Sequence, residues 1–260
     1  MTKEKGVIDS HIQMPKCVLK RFERNDRFFY YDIQKGFIGT NGHAKSLNTE
    51  SDYYSQETEA FLRDSIETPF GKLLKLVDGI GLDNPSFHIN PDFDTTVKMY
   101  TYSLVSRNPK LIQGIDKHSF FFQFLKTQER HDYAAKMGIS TAMKQNLFGE
   151  HISTLAINKS RYSFVLPISG FYSMKIMGEE HVIVPITPKI ALVLVPKNAQ
   201  KRIIHGDMLS IYRFDEDSAI NRLNKAAFRS QDQQGYGYLI SPDKESLESC
   251  ITTHKEKPGE

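Results

Sequence analysis

Glu59, Arg63 and Glu67 follow one another four residues apart in "SQETEAFLRDSIETPFGKLLKLVD". On an α-helix this spacing stacks acid, base and acid along one side, so the helix can supply its own ion pair. At about 100° per residue, Glu59 falls within the arc of Leu62, Ile66, Leu73 and Val77, the apolar face. Arg63 lies at the edge of that arc, and Glu67 just beyond it. A carboxylate directed toward a core must be paired or coordinated, because burying it alone is costly. The plainer outcome is an ion-paired helix edge. A working site is the other, and it needs partners from elsewhere in the chain.

The helix that carries these residues should begin at Ser55, a suitable N-cap, with Glu57 and Glu59 in an acidic first turn. Pro69 interrupts the pattern and is expected to kink it. Gly79 and Gly81 supply a stop. Upstream, residues 18–22 and 28–33 are apolar or aromatic with "ERND" between them, which reads as a β-hairpin. Pro15 suits the start of its first strand. The stretch "KGFIGTNGHAKSLNTESDYY" has the composition of a loop. Downstream, "NPDFDTTVKMYTYSLVSRNP" predicts a second helix, capped by Asp92 or Asp94, with Val97, Tyr100 and Leu104 on one face. The following residues are helix-prone to about position 150, with a break expected near Gly138.

The pattern then changes to short β-branched runs, "RYSFVLPI", "EHVIVPI" and "KIALVLVP". A last helix is expected around "DEDSAINRLNKAAFRSQ" and a last strand at "YGYLIS". This order gives an α+β fold: an N-terminal β-hairpin, a helical middle, and a small mostly antiparallel sheet with a helix in the C-terminal third. The hairpin is expected to join that sheet. Residues 1–250 should form one domain, followed by a disordered tail over 251–260.

Composition sets outer limits. The 260 residues are 39% hydrophobic and 25% charged, with 17 Phe and 12 Tyr to build a core. A formal charge of +3 is too small to argue for nucleic acid by itself, although a local groove can be basic on a near-neutral protein. Cys17 and Cys250 lie at opposite ends and form no CxxC pair, which reads as two reduced thiols in a cytoplasmic protein. The N-terminus has no apolar h-region, and the longest apolar run, residues 190–195, is far too short for a bilayer, so no membrane partner is expected. "GFIGTNG" lacks the Lys-Ser/Thr of a phosphate loop, and neither HExxH nor GxSxG occurs. "HGDM" reads as a turn, and the "KNAQKR" stretch as a solvated loop.

The opening "HIQMPKCVLKRF" resembles the His-x-x-Pro-x-x-x-Leu-x-x-Phe motif of a bacterial and phage domain-of-unknown-function family, numbered four-two-three-eight. "FFYYDI" is similar to its aromatic strand, "RNP" to its Arg-x-Pro, "IVPITPKIALVLV" to its Pro-rich strand pair, and "INRLNKAAF" to its Asn-containing helix. Two departures stand out. The proline follows His11 by four residues rather than three. The family's Ser-Asp-Asn-Pro turn is replaced by "SFVLPISGFY", without Asp or Asn. The resemblance implies a bacterial or phage protein and would fit host–phage conflict or nucleic-acid metabolism.

Those family-like positions extend the site. His11, Glu59, Glu67, Arg107 and Asn224 would surround one cleft. There Glu59 and Glu67 would hold a divalent metal such as Mg, His11 would act as a base, and Arg107 would stabilise a phosphorane or bind phosphate. That set suits phosphodiester cleavage of a nucleic acid. A lone His before a strand is otherwise a hydrogen-bonded structural group. If the missing turn is catalytic, its absence favours a binding or regulatory module that senses a phage or host factor without catalysis; nucleic acid and a protein are the partners in view. A third reading is a structural subunit of an assembly. A metal at Glu59 or Glu67 would favour cleavage, whereas a basic groove with aromatic lining and no carboxylate cluster would favour binding alone.

Overall fold

A computed structural model describes residues 9–80, 86–88, 90–110, 112, 124–201, 203–205 and 208–255. The fold is α+β. The elements in chain order begin with β1 (Asp9–His11), α1 (Lys16–Leu19, extended by a 3-10 turn, Lys20–Phe22), β2 (Phe28–Asp32), β3 (Phe37–Gly42) and β4 (Thr49–Ser51). One long helix follows in three parts: α2 (Gln56–Leu62), a π-turn (Arg63–Glu67) and α3 (Thr68–Asp78). Then come β5 (Ser86–His88), α4 (Pro91–Ser106), α5 (Thr127–Lys144), β6 (His151–Asn158), β7 (Leu166–Pro167), β8 (Tyr172–Ile176), β9 (Glu179–Pro185) and β10 (Ile190–Pro196). The chain continues through α6 (Lys197–Gln200), β11 (Ile204–His205), β12 (Met208–Ser210), β13 (Tyr212–Phe214), α7 (Asp217–Asp232), β14 (Tyr238–Ser241) and α8 (Lys244–Lys255).

A five-stranded sheet of order β13-β6-β10-β9-β8 forms the centre, antiparallel except for the β13–β6 pair. Alternate residues of its inner strands serve two cores. Leu155, Ile157, Leu192 and Leu194 face the helical middle, where they meet Ile66, Phe70, Leu73 and Tyr100. Ala156, Ala191, Val193 and Val195 face α7 through Ile220, Leu223 and Ala227. A strand buried on both faces reads as a continuous apolar run, which is why "IALVLV" shows no alternation.

The N-terminal hairpin forms from different residues than the sequence pattern suggests. Residues 18–22 are helical, because Met14, Val18 and Phe22 recur every four residues and are fully buried on one side. Pro15 caps that turn in extended geometry instead of opening a strand. The hairpin partner of β2 is β3, in the segment expected to be a loop. Its glycines permit it: a Cβ on Gly39 would lie 2.3 Å from the Tyr30 ring, and one on Gly42 2.3 Å from the Phe28 ring. The aromatic side chains lie over the bare backbone of the neighbouring strand. This hairpin does not join the central sheet. It belongs to a four-stranded sheet, β3-β2-β14-β7, which packs on α8 through Tyr31, Leu239 and Leu247.

Other boundaries move for local reasons. Asn90, not Asp92 or Asp94, caps α4, accepting from the amides of Asp92 and Phe93. Gly138 does not break α5. It lets α5 approach α4 so closely that a Cβ there would lie 2.6 Å from Ser106 Cβ. α8 continues through Lys255, so the start of the expected disordered tail is helical, and residues 256–260 lie outside the described residues. No helix among the described residues is long and apolar enough to cross a membrane.

Candidate functional site

Pro69 shapes the helix that carries Glu59 and Glu67, where a π-turn lies just ahead of it. Its missing N–H leaves the usual i→i−4 ladder one donor short. The chain responds with the π-turn, in which the Thr68 N–H reaches back five residues to the Arg63 carbonyl. The turn changes the phase. In an unbroken helix Glu67 would stand about 80° round from Glu59 at about 100° per residue. A π-turn absorbs one residue, which brings the two carboxylates to within about 20° of one line.

Arg107 faces that line. It is the C-cap residue of α4 and is 1% exposed. Its Nη2 donates to Glu67 Oε1 at 2.8 Å, and Glu67 is about a third exposed at 31%. Desolvation opposes the guanidinium charge. Glu67, with the Tyr54 and Tyr100 oxygens, more than offsets that and holds the Arg107 pKa above its ordinary value. Its Nε is buried and has no hydrogen-bond partner among the described residues. Tyr100 is packed flat on Phe70, with ring centroids 3.5 Å apart, and burial keeps its phenol firmly protonated. Arg63 touches this cluster only through its charge near Glu59. It pairs with its exposed neighbour Asp64 at 2.8 Å, so Glu67 has its partner on another helix.

Glu59 is half-buried. Desolvation pushes its carboxyl up, and the Ser10 side chain and the Arg107 charge pull it back only in part. The residue of β1 beside Glu59 is therefore Ser10. Successive strand residues point to opposite faces, so His11 is turned to the other side, paired across the ladder with Thr49 of β4. Asn224 is fully buried on α7, and both ends of its amide are spent on backbone: Oδ1 accepts from the Val165 amide, and Nδ2 donates to the Ser163 carbonyl, each at 2.9 Å. It ties α7 to the segment before β7. Of the five residues expected around one cleft, the structure brings together Glu59, Glu67 and Arg107.

As a metal site this cluster is poor. Two carboxylates remain, and Glu67 is engaged by an arginine. Among the described residues, no group of three or more His, Cys, Asp or Glu side chains is arranged to hold a metal ion. The arrangement suits an internal ion pair that fastens the π-turn to the end of α4.

A different surface has the character of a binding site. Along α7, Arg222, Lys225 and Arg229 stand at i, i+3 and i+7 on one helix face, the two arginines exposed and the lysine half-buried. They border a groove of about 670 Å³ against the β8–β9 edge, which adds Lys175, Glu180, Phe171 and Met174. None of the four cations is within ion-pair distance of an acid among the described residues. That includes Lys175, which lies opposite Glu180 in the β8–β9 ladder. The groove holds four cations and one acid, so its net charge equals the +3 of the whole chain. From the sequence α7 reads as a helix, and its basic face raises no expectation. The spacing of three basic residues on one side was visible. That they pair with no acid among the described residues was not, because it depends on which strand packs alongside.

No family model matches the chain, and comparison with curated proteins and with solved structures finds no relative, so the resemblance of the opening motif rests on its own residues.

Proposed function

We propose that this protein binds nucleic acid without cleaving it and that the groove between α7 and the β8–β9 edge contacts the phosphates. The observation that carries this reading is a set of four cations, Lys175, Arg222, Lys225 and Arg229, gathered on one groove with a single acid in its lining and ion-paired to no acid among the described residues. Cations left without acidic partners are free to replace the counterions of a polyanion. Phe171 and Met174 add apolar surface between the charges, which suits bases more than a bare phosphate ladder. Arg222 and Arg229 are seven residues apart, so the basic face is about 10 Å long. That length covers two or three phosphates, a short contact that fits modest affinity.

The ion pair supports the non-catalytic side of this reading. Arg107 is buried and bonded to Glu67, which leaves neither group poised for a phosphate in solvent. The test is binding of labelled single-stranded and duplex oligonucleotides at several salt concentrations, with magnesium and manganese present or absent. Two to three phosphate contacts predict a slope of about −2 in log K against log salt for a single strand. Absence of salt-dependent binding would sink the proposal, and metal-dependent cleavage would return the reading to an enzyme.

A further inference from the structure

A second cavity lies away from the basic groove, where the segment after β1, the end of α4 and the turn before β14 converge. Its volume is about 280 Å³, and Gln13, Asp32, Asn48, Pro109, Tyr236 and Tyr238 contribute to its lining. Asp32 ends β2 and pairs directly with Tyr238 of β14, which places both side chains on one face of the sheet. The carboxylate is buried at 5% exposure. One oxygen accepts the Lys35 amide at 3.0 Å, and the other has, among the described residues, only the exposed Lys35 ammonium, 3.7 Å away. Gln13 is 2% exposed. Its Nε2 and the Asn48 Nδ2 are buried and have no hydrogen-bond partner among the described residues. The Gln13 amide lies beside the Tyr236 hydroxyl without reaching hydrogen-bond geometry, and that hydroxyl is engaged with Asn108 Oδ1 at 3.0 Å.

Native structures rarely leave buried donors unspent, and both of these residues line the cavity. The chemistry of the wall restricts what molecule can bind. An ionised carboxylate only accepts, so Asp32 calls for N–H donors. The two amide nitrogens only donate, so they call for a carbonyl or ring nitrogen. Two tyrosine rings and Pro109 offer apolar surface to a flat body. No arginine is present among the lining residues to take a phosphate. A cavity of this size accommodates a base or a nucleoside and is small for anything larger.

We propose that this cavity binds a neutral, nucleobase-sized heterocycle whose edge places N–H donors beside a carbonyl, as guanine does, with Asp32 taking the N–H groups and the Gln13 and Asn48 amides the acceptor. The inference does not depend on the groove. Titration calorimetry of the intact chain with guanosine tests it, with adenosine for comparison, because adenosine presents a ring acceptor where guanosine presents an N–H. Guanosine should bind saturably, and adenosine at least about 10-fold more weakly. Asp32→Asn keeps an acceptor for the Lys35 amide and is nearly isosteric, yet it should weaken guanosine about 10-fold or more. Gln13→Ala, confirmed as folded by circular dichroism, should also weaken it. The groove variant Lys225→Glu should bind guanosine as wild type does. No saturable binding of guanosine, equal binding of adenosine, or an unchanged constant in Asp32→Asn would each overturn the proposal.

Discussion

Arg107 is a fully buried cation whose one ion-pair partner among the described residues is Glu67, and it governs what substitutions around it should do. Removing the acid leaves an uncompensated charge in the core. Glu67→Gln should therefore cost about 3 kcal/mol of unfolding free energy in urea, toward the low end for a broken buried pair because Glu67 is partly solvated. The double variant Arg107→Met/Glu67→Gln removes both charges and should recover much of that loss. A double variant as unstable as the single one would show that the arginine acts by shape and not by charge. Glu59 behaves in the opposite sense. Its folded pKa lies above its unfolded value, mainly through desolvation, so the folded chain holds the proton more tightly. The stability this group contributes is present below the ordinary carboxylate value, about pH 4, and is lost as pH rises through the folded pKa. Glu59→Gln should accordingly stabilise the protein at pH 7 and have little effect near pH 3. A Glu59→Gln variant that is less stable at pH 7 would mean that attraction to Arg107 outweighs burial.

At the scale of elements, what the sequence discloses depends on whether the cause is local. The Ser55 cap, the acidic first turn and the apolar face through Val77 were legible, because each arises within a few residues. Strands β9, β10 and β14 were legible from β-branched runs between turn formers. Residues 18–22 were misread as a strand because a short apolar run carries little periodicity and Met14, which reveals the helical spacing, lies ahead of Pro15. Strand β3 was hidden because its glycines fit only against Tyr30 and Phe28 of the opposite strand. For the candidate site, the inward turn of Glu59 was legible from the helical phase. The alignment of Glu67 was not, since the π-turn follows from how Pro69 is accommodated. Arg107 as the partner was suggested by family-like position alone. Two glycines make the element scale testable. Gly71 in α3 has nothing within 4 Å of a built Cβ, so Gly71→Ala should stabilise the protein by about 1 kcal/mol, the ordinary helix gain. Gly138 in α5 meets both Cα and Cβ of Ser106, so Gly138→Ala should destabilise by about 1–3 kcal/mol despite the same gain. Thermal unfolding of the two variants should move in opposite directions, and parallel shifts would contradict the close packing of α4 on α5.

Across the whole molecule, the formal charge conceals an uneven distribution. A net +3 over 260 residues predicts weak, diffuse attraction to a polyanion. The groove along α7 concentrates that same excess on a face about 10 Å long, near the Debye length at physiological salt. Local concentration and total charge therefore make different predictions, and two pairs of substitutions separate them. Reversing Lys225 and Arg229 to Glu removes two units of charge at each position and takes the formal net charge from +3 to −1. Reversing Lys45 and Lys72, both exposed and outside the groove, gives the same −1. If binding follows total charge, the two double variants should lose affinity for a single-stranded oligonucleotide equally. If the groove carries it, only the first should lose affinity and most of its salt dependence, its slope falling from about −2 toward zero, while the second keeps the wild-type slope. Because the four substituted side chains are on the surface, both proteins should fold with little change in stability. Equal losses in the two variants would remove the groove as the site and leave only a generally basic protein.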